Sequence, residues 1–457
     1  MADTRRRSAW HAAGRGRLRV AIAAAAAAGV LLALAACGSA AGSGKGSSGS
    51  SGSKGTSLTM WLVTTGPSPA NTAATNLVAS FEKSHPGDHI TVDFIENQSY
   101  KQKIQLAMGA GNPPAIFWTW GGGPLQQFIK AGDVYPLGNP SWLSSFLPSS
   151  LGAVTDQGKV YGVPVEGTQP VYFFYNKSIF AKYHLTFPTT FSGLLSTVAT
   201  LKSHGVAPIS LANGDQWPGL MYLEYLVDRI GGPSVAQALQ SNAAGGWSNP
   251  AVTQALGDIQ QLVKAGAFQS GYDSLHFSGG GSDALVYSGK AAMQLMGDWD
   301  ISSILGADKS FVTGGDLGMA PFPSVAGGTG NSADLAGNTA SYVGIASHAT
   351  GAQKAVAVAF FKDELTSASY ARAEVAAGEV PVTKGASPLF AGQSLASFDT
   401  TIYNSVQGAP SFQYSWDQAM TPSVATVMLT NLAQVFELSQ TPQKFESLLN
   451  TQAASGS

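Results

Sequence analysis

The segment 58–119 alternates two kinds of apolar pattern, and this alternation constrains the fold more than any other feature. Short apolar runs typical of strands lie at Leu58–Val63, Ile90–Phe94 and Ala115–Thr119. Between them, apolar residues recur at helical spacing over about Asn71–Ser84 and Ser99–Gly109. A β-α-β-α-β order predicts a parallel sheet covered by helices on both faces, and therefore an α/β fold.

The amino terminus carries the features of an export signal. Six arginines precede an uncharged apolar run from Val20 to Ala36, which leads to Cys37, the only cysteine of the chain. A basic segment, an apolar segment and small residues at a cleavage site are typical of a secretory signal peptide. The sequence Leu34-Ala35-Ala36-Cys37 resembles a bacterial lipobox, in which signal peptidase II cuts before a lipid-modified cysteine.

This resemblance implies a signal peptide at 1–36, then a lipidated (palmitate-bearing) Cys37 and a flexible Gly/Ser linker through residue 56. Two alternatives stay open. One is a permanent membrane anchor, which the short run disfavours because a spanning helix needs about 20 apolar residues. The other is an ordinary signal peptide with a coincidental cysteine. The lipoprotein interpretation places the mature chain on the extracellular face of the cell membrane, attached through its lipid alone.

Export also changes the charge balance. Loss of residues 1–36 lowers Lys plus Arg from 25 to 19 and Asp plus Glu from 27 to 26, which gives a formal net charge of −7. Nucleic acid and anionic membrane surfaces require clustered positive charge, so neither is expected as a partner. About 400 residues follow the linker, enough for two domains.

Several short motifs follow one another in a recognisable order. The sequence has Gly-Lys-Val-Tyr-Gly-Val-Pro at 158–164 and Tyr-Asn-Lys-Ser-Ile-Phe at 175–180. Further on come Gly-Lys-Ala-Ala-Met at 289–293, Gly-Asp-Trp at 297–299 and Val-Pro-Val at 380–382. This series resembles the extracellular solute-binding proteins of ABC importers, in their carbohydrate-binding, maltose-binding-like branch.

The resemblance implies a two-lobed, periplasmic-binding-protein-like (type II) α/β fold, with mostly parallel central sheets flanked by helices and a hinge between the lobes. The first lobe is expected at 57–165 and 340–385, and the second at 166–339 and 386–457. The ligand would bind between the lobes, and closure would present the loaded receptor to the permease subunits of an importer. The family also implies a monomer without cofactor or metal.

The sequence offers little for catalysis. It contains no Gly-x-Ser-x-Gly, His-Glu-x-x-His or phosphate-binding loop, and its histidines lack metal-ligand spacing. Gly121–Gly123 could hold an anion through backbone N–H groups, but the family implies a strand-to-helix turn on the cleft wall. Glu166, Asp298 and Asp300 are candidates for the carboxylate pair of a glycoside hydrolase. A binding role for Glu166 and Asp300, which would accept hydrogen bonds from sugar hydroxyls, is favoured over catalysis.

Tryptophans supply the sharper signal, because a sugar ring presents an apolar face to a flat aromatic side chain and hydroxyls to fixed polar groups. Trp118 and Trp120 end the third predicted strand, and Trp299 belongs to the Gly-Asp-Trp motif. Core packing is the alternative for each tryptophan taken alone. From the family positions, the candidate ligand-binding residues are Trp118, Trp120, Glu166, Gln169, Trp217, Trp299, Asp300, Asn338, Trp416, Asp417 and Asn97.

The favoured function is therefore a lipid-anchored receptor that binds a sugar or oligosaccharide for an ABC importer and is not an enzyme. Two alternatives remain: an exported glycoside hydrolase that uses Glu166 and Asp300, and a receptor for a non-sugar solute such as a polyamine or peptide. The tryptophans and the lack of an obvious cationic or carboxylate clamp in the sequence favour a neutral, polyhydroxylated ligand.

Overall fold

The computed structural model describes residues 55–455. The predictions for the signal peptide, Cys37 and most of the linker therefore lie outside the described residues. Within 55–455, the helices are too short or too polar to cross a membrane.

The five elements predicted between residues 58 and 119 are all present. Residues 55–455 contain thirteen strands and seventeen α-helices, which are joined by loops and short 3-10 helices. In chain order, the strands are β1 (Ser57–Thr64), β2 (His89–Glu96), β3 (Ile116–Thr119), β4 (Thr155–Asp156), β5 (Lys159–Val160), β6 (Val163–Glu166), β7 (Gln169–Asn176), β8 (Ala207–Ser210), β9 (Ala291–Gly297), β10 (Leu317–Ala320), β11 (Leu335–Asn338), β12 (Ser341–Ile345) and β13 (Phe412–Tyr414). The helices are α1 (Pro69–Ser84), α2 (Asn97–Gly109), α3 (Gly122–Ala131), α4 (Lys177–Lys182), α5 (Phe191–Ser203), α6 (Trp217–Gly231), α7 (Pro233–Gln240), α8 (Pro250–Ala265), α9 (Gly281–Tyr287), α10 (Trp299–Ala307), α11 (Lys309–Thr313), α12 (Gly351–Asp363), α13 (Ala368–Ala377), α14 (Ala396–Gly408), α15 (Trp416–Ala419), α16 (Pro422–Phe436) and α17 (Pro442–Ser455).

The first sheet has five strands in the order β2-β1-β3-β12-β6. Strand β1 pairs in parallel with β2 and β3, as the predicted β-α-β-α-β order requires. The helix between β1 and β2 begins at Pro69, and the side chain of Ser68 caps it by accepting a hydrogen bond from the Asn71 amide at 3.2 Å. Local sequence therefore determines both the direction of the chain and the start of this helix.

The second sheet has the order β13-β11-β7-β9-β8, with β10 paired to β7. Strand β7 runs antiparallel to β9, β10 and β11, and β12 runs antiparallel to β3 and β6 in the first sheet. Both sheets are thus mixed rather than mostly parallel. The reason is that β7 and β12 arrive directly from the other sheet, without the helical crossover that a parallel neighbour requires.

Each sheet has its own buried core, which establishes the two-lobed architecture. The core of the first sheet includes Phe81, Phe117 and Tyr342, all with no more than 1 % of their surface exposed. The core of the second includes Phe173 and Tyr222, which contact each other edge to face at a centroid distance of 6.2 Å. Burial of such large aromatic side chains is the dominant favourable contribution to folding.

The chain passes between the two sheets at 166–169 and again at 338–341. A third crossing region lies near Val380, where the chain changes core more than once: Val380 packs in the second core, Val382 in the first and Phe390 in the second again. Backbone pairing ties the crossings together, because Thr168 pairs with Val380 and Gln169 pairs with Asn338. Three adjacent crossings form a hinge at the floor of the space between the lobes.

Candidate functional site

A cleft lies between the two lobes, directly above the three crossings. Its walls surround about 820 Å³ of space without protein atoms, part of it open to solvent. Nine of the eleven predicted ligand-binding residues line it: Trp118, Trp120, Glu166, Gln169, Trp217, Trp299, Asn338, Asp417 and Asn97. The fold therefore brings together residues that are more than 300 positions apart in the sequence.

One wall comes from the end of β3 in the first lobe. Trp118 and Trp120 meet edge to face at a centroid distance of 6.2 Å, and Trp120 is half-buried at the cleft. The Tyr100 hydroxyl holds this turn by donating a hydrogen bond to the Trp118 carbonyl at 2.5 Å. Lys101 lies 5.3 Å from the centre of the Trp120 ring and 3.5 Å from the Asp417 carboxylate.

The opposite wall comes from the starts of α6 and α10 in the second lobe. Trp217 and Trp299 are both half-buried, and their rings lie 6.1 Å apart. Gly297 explains the spacing of the Gly-Asp-Trp motif, because a Cβ atom at this position would lie 1.9 Å from Cζ3 of Trp299. The ring of Trp299 can occupy its position only because residue 297 has no side chain.

The glycine run after β3 forms a turn at which two segments approach closely. A Cβ atom on Gly122, which has φ of +58°, would lie 2.1 Å from the Gln418 carbonyl oxygen. One on Gly123 would lie 2.0 Å from the Met420 carbonyl oxygen. Because the glycines have no side chains, the backbone around α15 can pack against this turn at the edge of the cleft. There the Tyr414 hydroxyl donates a hydrogen bond to the Trp120 carbonyl.

The prediction for Trp416 needs correction, because this side chain is fully buried in the second core and does not line the cleft. Its indole N–H donates to Gln413 at 3.0 Å, and its ring packs edge to face on Trp247 at 5.9 Å. The Glu224 carboxyl accepts the Trp416 backbone N–H at 2.6 Å, and burial raises the pKa of Glu224 to about 8. Trp416 therefore anchors the short helix α15, whose neighbouring residues reach the cleft.

The prediction for Asp300 also needs correction. Asp300 follows Trp299 in α10 and is fully buried, and the Gln294 amide donates to its carboxyl. Burial, followed by the charge of Asp283, raises its pKa well above the ordinary value. Helical periodicity explains the difference, since Trp299, Ser302 and Ser303 share the cleft face while residue 300 points inward. The pair Glu166 and Asp300 is therefore not assembled at the cleft.

Polar side chains from two of the crossings form the floor of the cleft. The Gln169 amide donates to the Glu166 carboxylate at 3.0 Å, and the Gln169 carbonyl oxygen accepts from the Ser341 hydroxyl at 3.1 Å. Asn338 is 7 % exposed, and its Oδ1 atom has no hydrogen-bond partner within residues 55–455. Glu166, Gln169 and Ser341 thus hold one another in position, and Asn338 adds one buried oxygen that residues 55–455 leave without a partner.

The floor contains a residue that the sequence did not reveal. Glu379 lines the cleft with Glu166, and its Oε2 atom is buried without a hydrogen-bond partner in the described chain. Burial raises the pKa of Glu379 to about 7. Burial, and then the charges of Glu379 and Glu374, raise the pKa of Glu166 well above its usual range. Glu379 directly precedes the Val-Pro-Val motif, but no sequence pattern places it beside Glu166.

Lys101 was also missed, although a signal for it existed. It follows Asn97 by one turn of α2, so the two side chains share a helix face. The described residues contain no group of three or more His, Cys, Asp or Glu side chains arranged to hold a metal ion.

The two lobes touch across the mouth of the cleft. The Ser278 hydroxyl donates to the Glu96 carboxylate at 2.6 Å, and the Gly279 amide donates to the Thr65 carbonyl at 2.9 Å. Although burial acts in the opposite direction, the bonds from Ser278 and from the amides at the start of α2 lower the pKa of Glu96. The cleft is thus in a closed form.

Comparison with known proteins gives consistent results. The family model for bacterial extracellular solute-binding proteins matches residues 65–372. An uncharacterised ABC transporter extracellular-binding protein of Pyrococcus horikoshii is 28 % identical over 233 residues, which are 49 % of this chain and 51 % of that protein. The chain spans about half the length of the curated relatives it matches.

Two solved structures share the fold over nearly their whole length. One, from a study of xylan utilisation by the thermophilic bacterium Caldanaerobius polysaccharolyticus, has a TM-score of 0.79 and 29 % identity, and covers 87 % of this chain and 99 % of that one. The other, a chitin oligosaccharide binding protein, has a TM-score of 0.78 and 26 % identity, and covers 88 % and 99 %. The predicted two-lobed type II α/β fold is confirmed.

The family match extends over more than half of the chain and includes the cleft walls up to α13. The matching family consists of solute-binding proteins rather than enzymes, and one of the two structural neighbours is a binding protein by name. The resemblance carried by the sequence motifs is therefore confirmed, and the chain belongs to the family of bacterial extracellular solute-binding proteins.

Proposed function

We propose that this protein is a lipid-anchored receptor that binds a sugar or oligosaccharide in the interlobe cleft and delivers it to the permease of an ABC importer. The observation that carries the proposal is the pair of tryptophan walls. Trp118 and Trp120 come from one lobe and Trp217 and Trp299 from the other, and they face one cleft with polar groups on its floor. Flat aromatic surfaces with fixed acceptors suit the two sides of a sugar ring.

The two structural neighbours support a saccharide. One comes from a study of xylan utilisation and the other is a chitin oligosaccharide binding protein. The nine predicted residues that line the cleft are the proposed contacts, and Lys101 and Glu379 join them. Sheet and core membership supports lobes at about 57–165 with 340–385, and 166–339 with 386–457, although Val375 and Val380 pack in the second core.

The proposed mechanism is binding without chemistry. A ligand that touches both tryptophan walls has contacts in the closed form that the open form does not offer, so it shifts the population toward closure. The hinge formed by the three crossings allows this motion, and a monomer is sufficient because both walls belong to one chain. The closed receptor is the form that the permease would engage.

The proposed anchor is the acyl chain on Cys37. The proposed linker is a Gly/Ser-rich sequence of roughly 18 residues that lies almost wholly outside the described chain, and a coil of that composition and length would span about 24 Å, enough to hold the receptor near its importer. Expression of the full chain and of Cys37→Ala in a bacterium that processes lipoproteins tests the anchor. The native chain is expected in the membrane fraction with an acyl mass on Cys37, whereas the variant is expected in the medium or unprocessed.

A thermal-shift screen of the full chain against mono- and oligosaccharides tests the receptor function. A ligand at 100 times its Kd stabilises the folded state by about 2.7 kcal/mol, so at least one sugar should raise the unfolding temperature. Polyamines and short peptides form the comparison set. Stabilisation only by members of that set would contradict a sugar receptor.

A further inference from the structure

Five carboxyl groups lie together at the hinge, four of them buried and that of Glu166 half-buried at the cleft, and we call them the hinge carboxyl cluster: Glu166, Asp298, Glu374, Glu379 and Asp399. They belong to β6, the turn before α10, α13, the third crossing and α14. Glu379 is their centre. After burial itself, the Glu379 charge is the largest influence that raises the pKa of each of the other four. Both lobes and two of the three crossings contribute to this group.

The cluster has no compensating positive charge within the described chain. The salt bridges formed by residues 55–455 include none of its five members. In the same residues, Oε2 of Glu379 and both carboxyl oxygens of Asp298 and of Asp399 have no hydrogen-bond partner. A buried ionised carboxylate is costly unless it is paired. The cluster therefore requires protons or a cation from outside the chain.

The cluster opens toward the ligand. Glu166 and Glu379 line the cleft and also a small chamber beneath it, which Glu374 lines as well. The chamber has room for about one water-sized group. Trp118 borders both spaces, so an aromatic side chain lies beside the carboxyl groups. A cation that entered from the cleft would meet carboxylates and an indole ring, which together favour positive charge.

The chemistry at the floor matches an ammonium group. An ammonium has three N–H donors and no acceptor. At the floor, Oε2 of Glu379 and Oδ1 of Asn338 have no hydrogen-bond partner within residues 55–455, and the Glu166 carboxylate, which accepts from Gln169, lies with them in the lining of the cleft. A hydroxyl would donate one hydrogen bond and leave the charge of the cluster uncompensated. Lys101, the basic residue of the cleft wall, cannot serve because its partner is Asp417 at 3.5 Å.

We propose that the saccharide bound in the cleft carries a protonated primary amine, which Glu166 and Glu379 receive at the hinge, so that the substrate class is amino sugars and their oligosaccharides. This inference rests on the proposed sugar-receptor function and narrows it. The tryptophan walls hold the sugar ring, and the hinge cluster selects the cationic substituent. Glu379 is then the residue that determines the preference for an amine, because its charge acts on every other carboxyl group of the cluster.

Matched ligand trios test the proposal by calorimetric titration of the full chain near neutral pH and low salt. One trio is glucosamine, glucose and N-acetylglucosamine, and another is the disaccharide of glucosamine, cellobiose and the disaccharide of N-acetylglucosamine. In at least one trio the amine should bind at least tenfold more tightly than both neutral counterparts. Glu379→Gln should reduce this preference to less than about threefold, whereas exposed Glu437→Gln should retain it.

The outcomes separate this inference from the proposed function. If neutral sugars bind as well as or better than their amines in every trio, the amino-sugar proposal is overturned and the sugar receptor stands. If no saccharide of any kind binds, both are overturned. Because the trios compare ligands on the native chain, the test does not depend on the folding of a variant. Glu374→Gln provides a second variant that is expected to weaken the amine preference in the same direction.

Discussion

Single residues position the aromatic walls, and Trp299 is the clearest case. It is half-buried at the start of α10 and lies 6.1 Å from Trp217. We expect Trp299→Ala to weaken the tightest-binding sugar at least tenfold, about 1.4 kcal/mol, in a calorimetric titration. Trp142→Ala is the control and should leave the affinity for the sugar unchanged, because Trp142 does not line the cleft. Unchanged affinity after Trp299→Ala would remove this residue from the binding site.

Gly297 makes the position of Trp299 possible. A substitution at residue 297 therefore tests the role of the Trp299 ring without removing the ring itself. A methyl at residue 297 would overlap the indole ring at 1.9 Å, so the ring must move. Gly297→Ala should therefore weaken sugar binding about as much as Trp299→Ala and should shift the tryptophan fluorescence. Gly257→Ala is the matched control, because it lies within α8 with no atom within 4 Å and should leave binding unchanged. Native affinity in Gly297→Ala would contradict the packing argument.

At the scale of elements, contacts between the lobes hold the cleft closed. The Ser278 hydroxyl reaches across the mouth to Glu96 on the first lobe at 2.6 Å. A hydrogen bond to a charged group contributes roughly 1.5–3 kcal/mol, so Ser278→Ala should weaken sugar binding by about tenfold or more. Ser178→Ala is a matched control, since that hydroxyl also donates to a carboxylate at 2.6 Å but within the second lobe. Equal effects of the two changes would show that closure does not depend on this bond.

The hinge crossings also make stability depend on pH. Burial raises the pKa of Glu379 from 4.5 to about 7, and that of Asp399 from 3.8 to about 7. The folded state then binds more protons than the unfolded state between about pH 4 and 7, so stability falls as the pH rises through this range. Glu166, Glu374 and Asp298 face the same group and act in the same direction.

Calorimetric unfolding of the ligand-free chain measures this dependence. The midpoint should be lower at pH 8 than at pH 5, and Glu379→Gln should narrow the difference by at least about 2 °C because it removes one titrating group. Glu437→Gln, at an exposed position, should leave the difference as in the native chain. An identical pH dependence in Glu379→Gln would mean that the buried cluster does not titrate in this range.

At the scale of the whole molecule, local periodicity was sufficient to predict the α/β fold. The elements between residues 58 and 119 follow from apolar spacing and from breakers such as Pro86-Gly87, which act over a few residues. The antiparallel pairing of β7 and β12 could not be predicted in this way. It depends on where the chain crosses between lobes, which local spacing does not encode.

The site was partly predictable, because local sequence places whole elements but not the direction of every side chain on them. Residues at strand ends and motif positions, such as Trp118 and Trp299, reach the cleft because their elements do. Trp416 and Asp300 were misplaced because the orientation of a short helix, which decides whether a side chain faces cleft or core, is not fixed by a motif. Glu379 was missed because its neighbour Glu166 is more than 200 residues away along the chain.

The central claim is that one saccharide molecule binds between the two lobes, closes them, and is later released without chemical change. The most direct measurement is a fluorescence titration of the full chain with the saccharides of the screen, because tryptophans of both lobes face the cleft. We predict saturable binding of one sugar per chain, with the sugar recovered intact. Absence of saturation by every saccharide, or recovery of a cleaved product, would contradict the account.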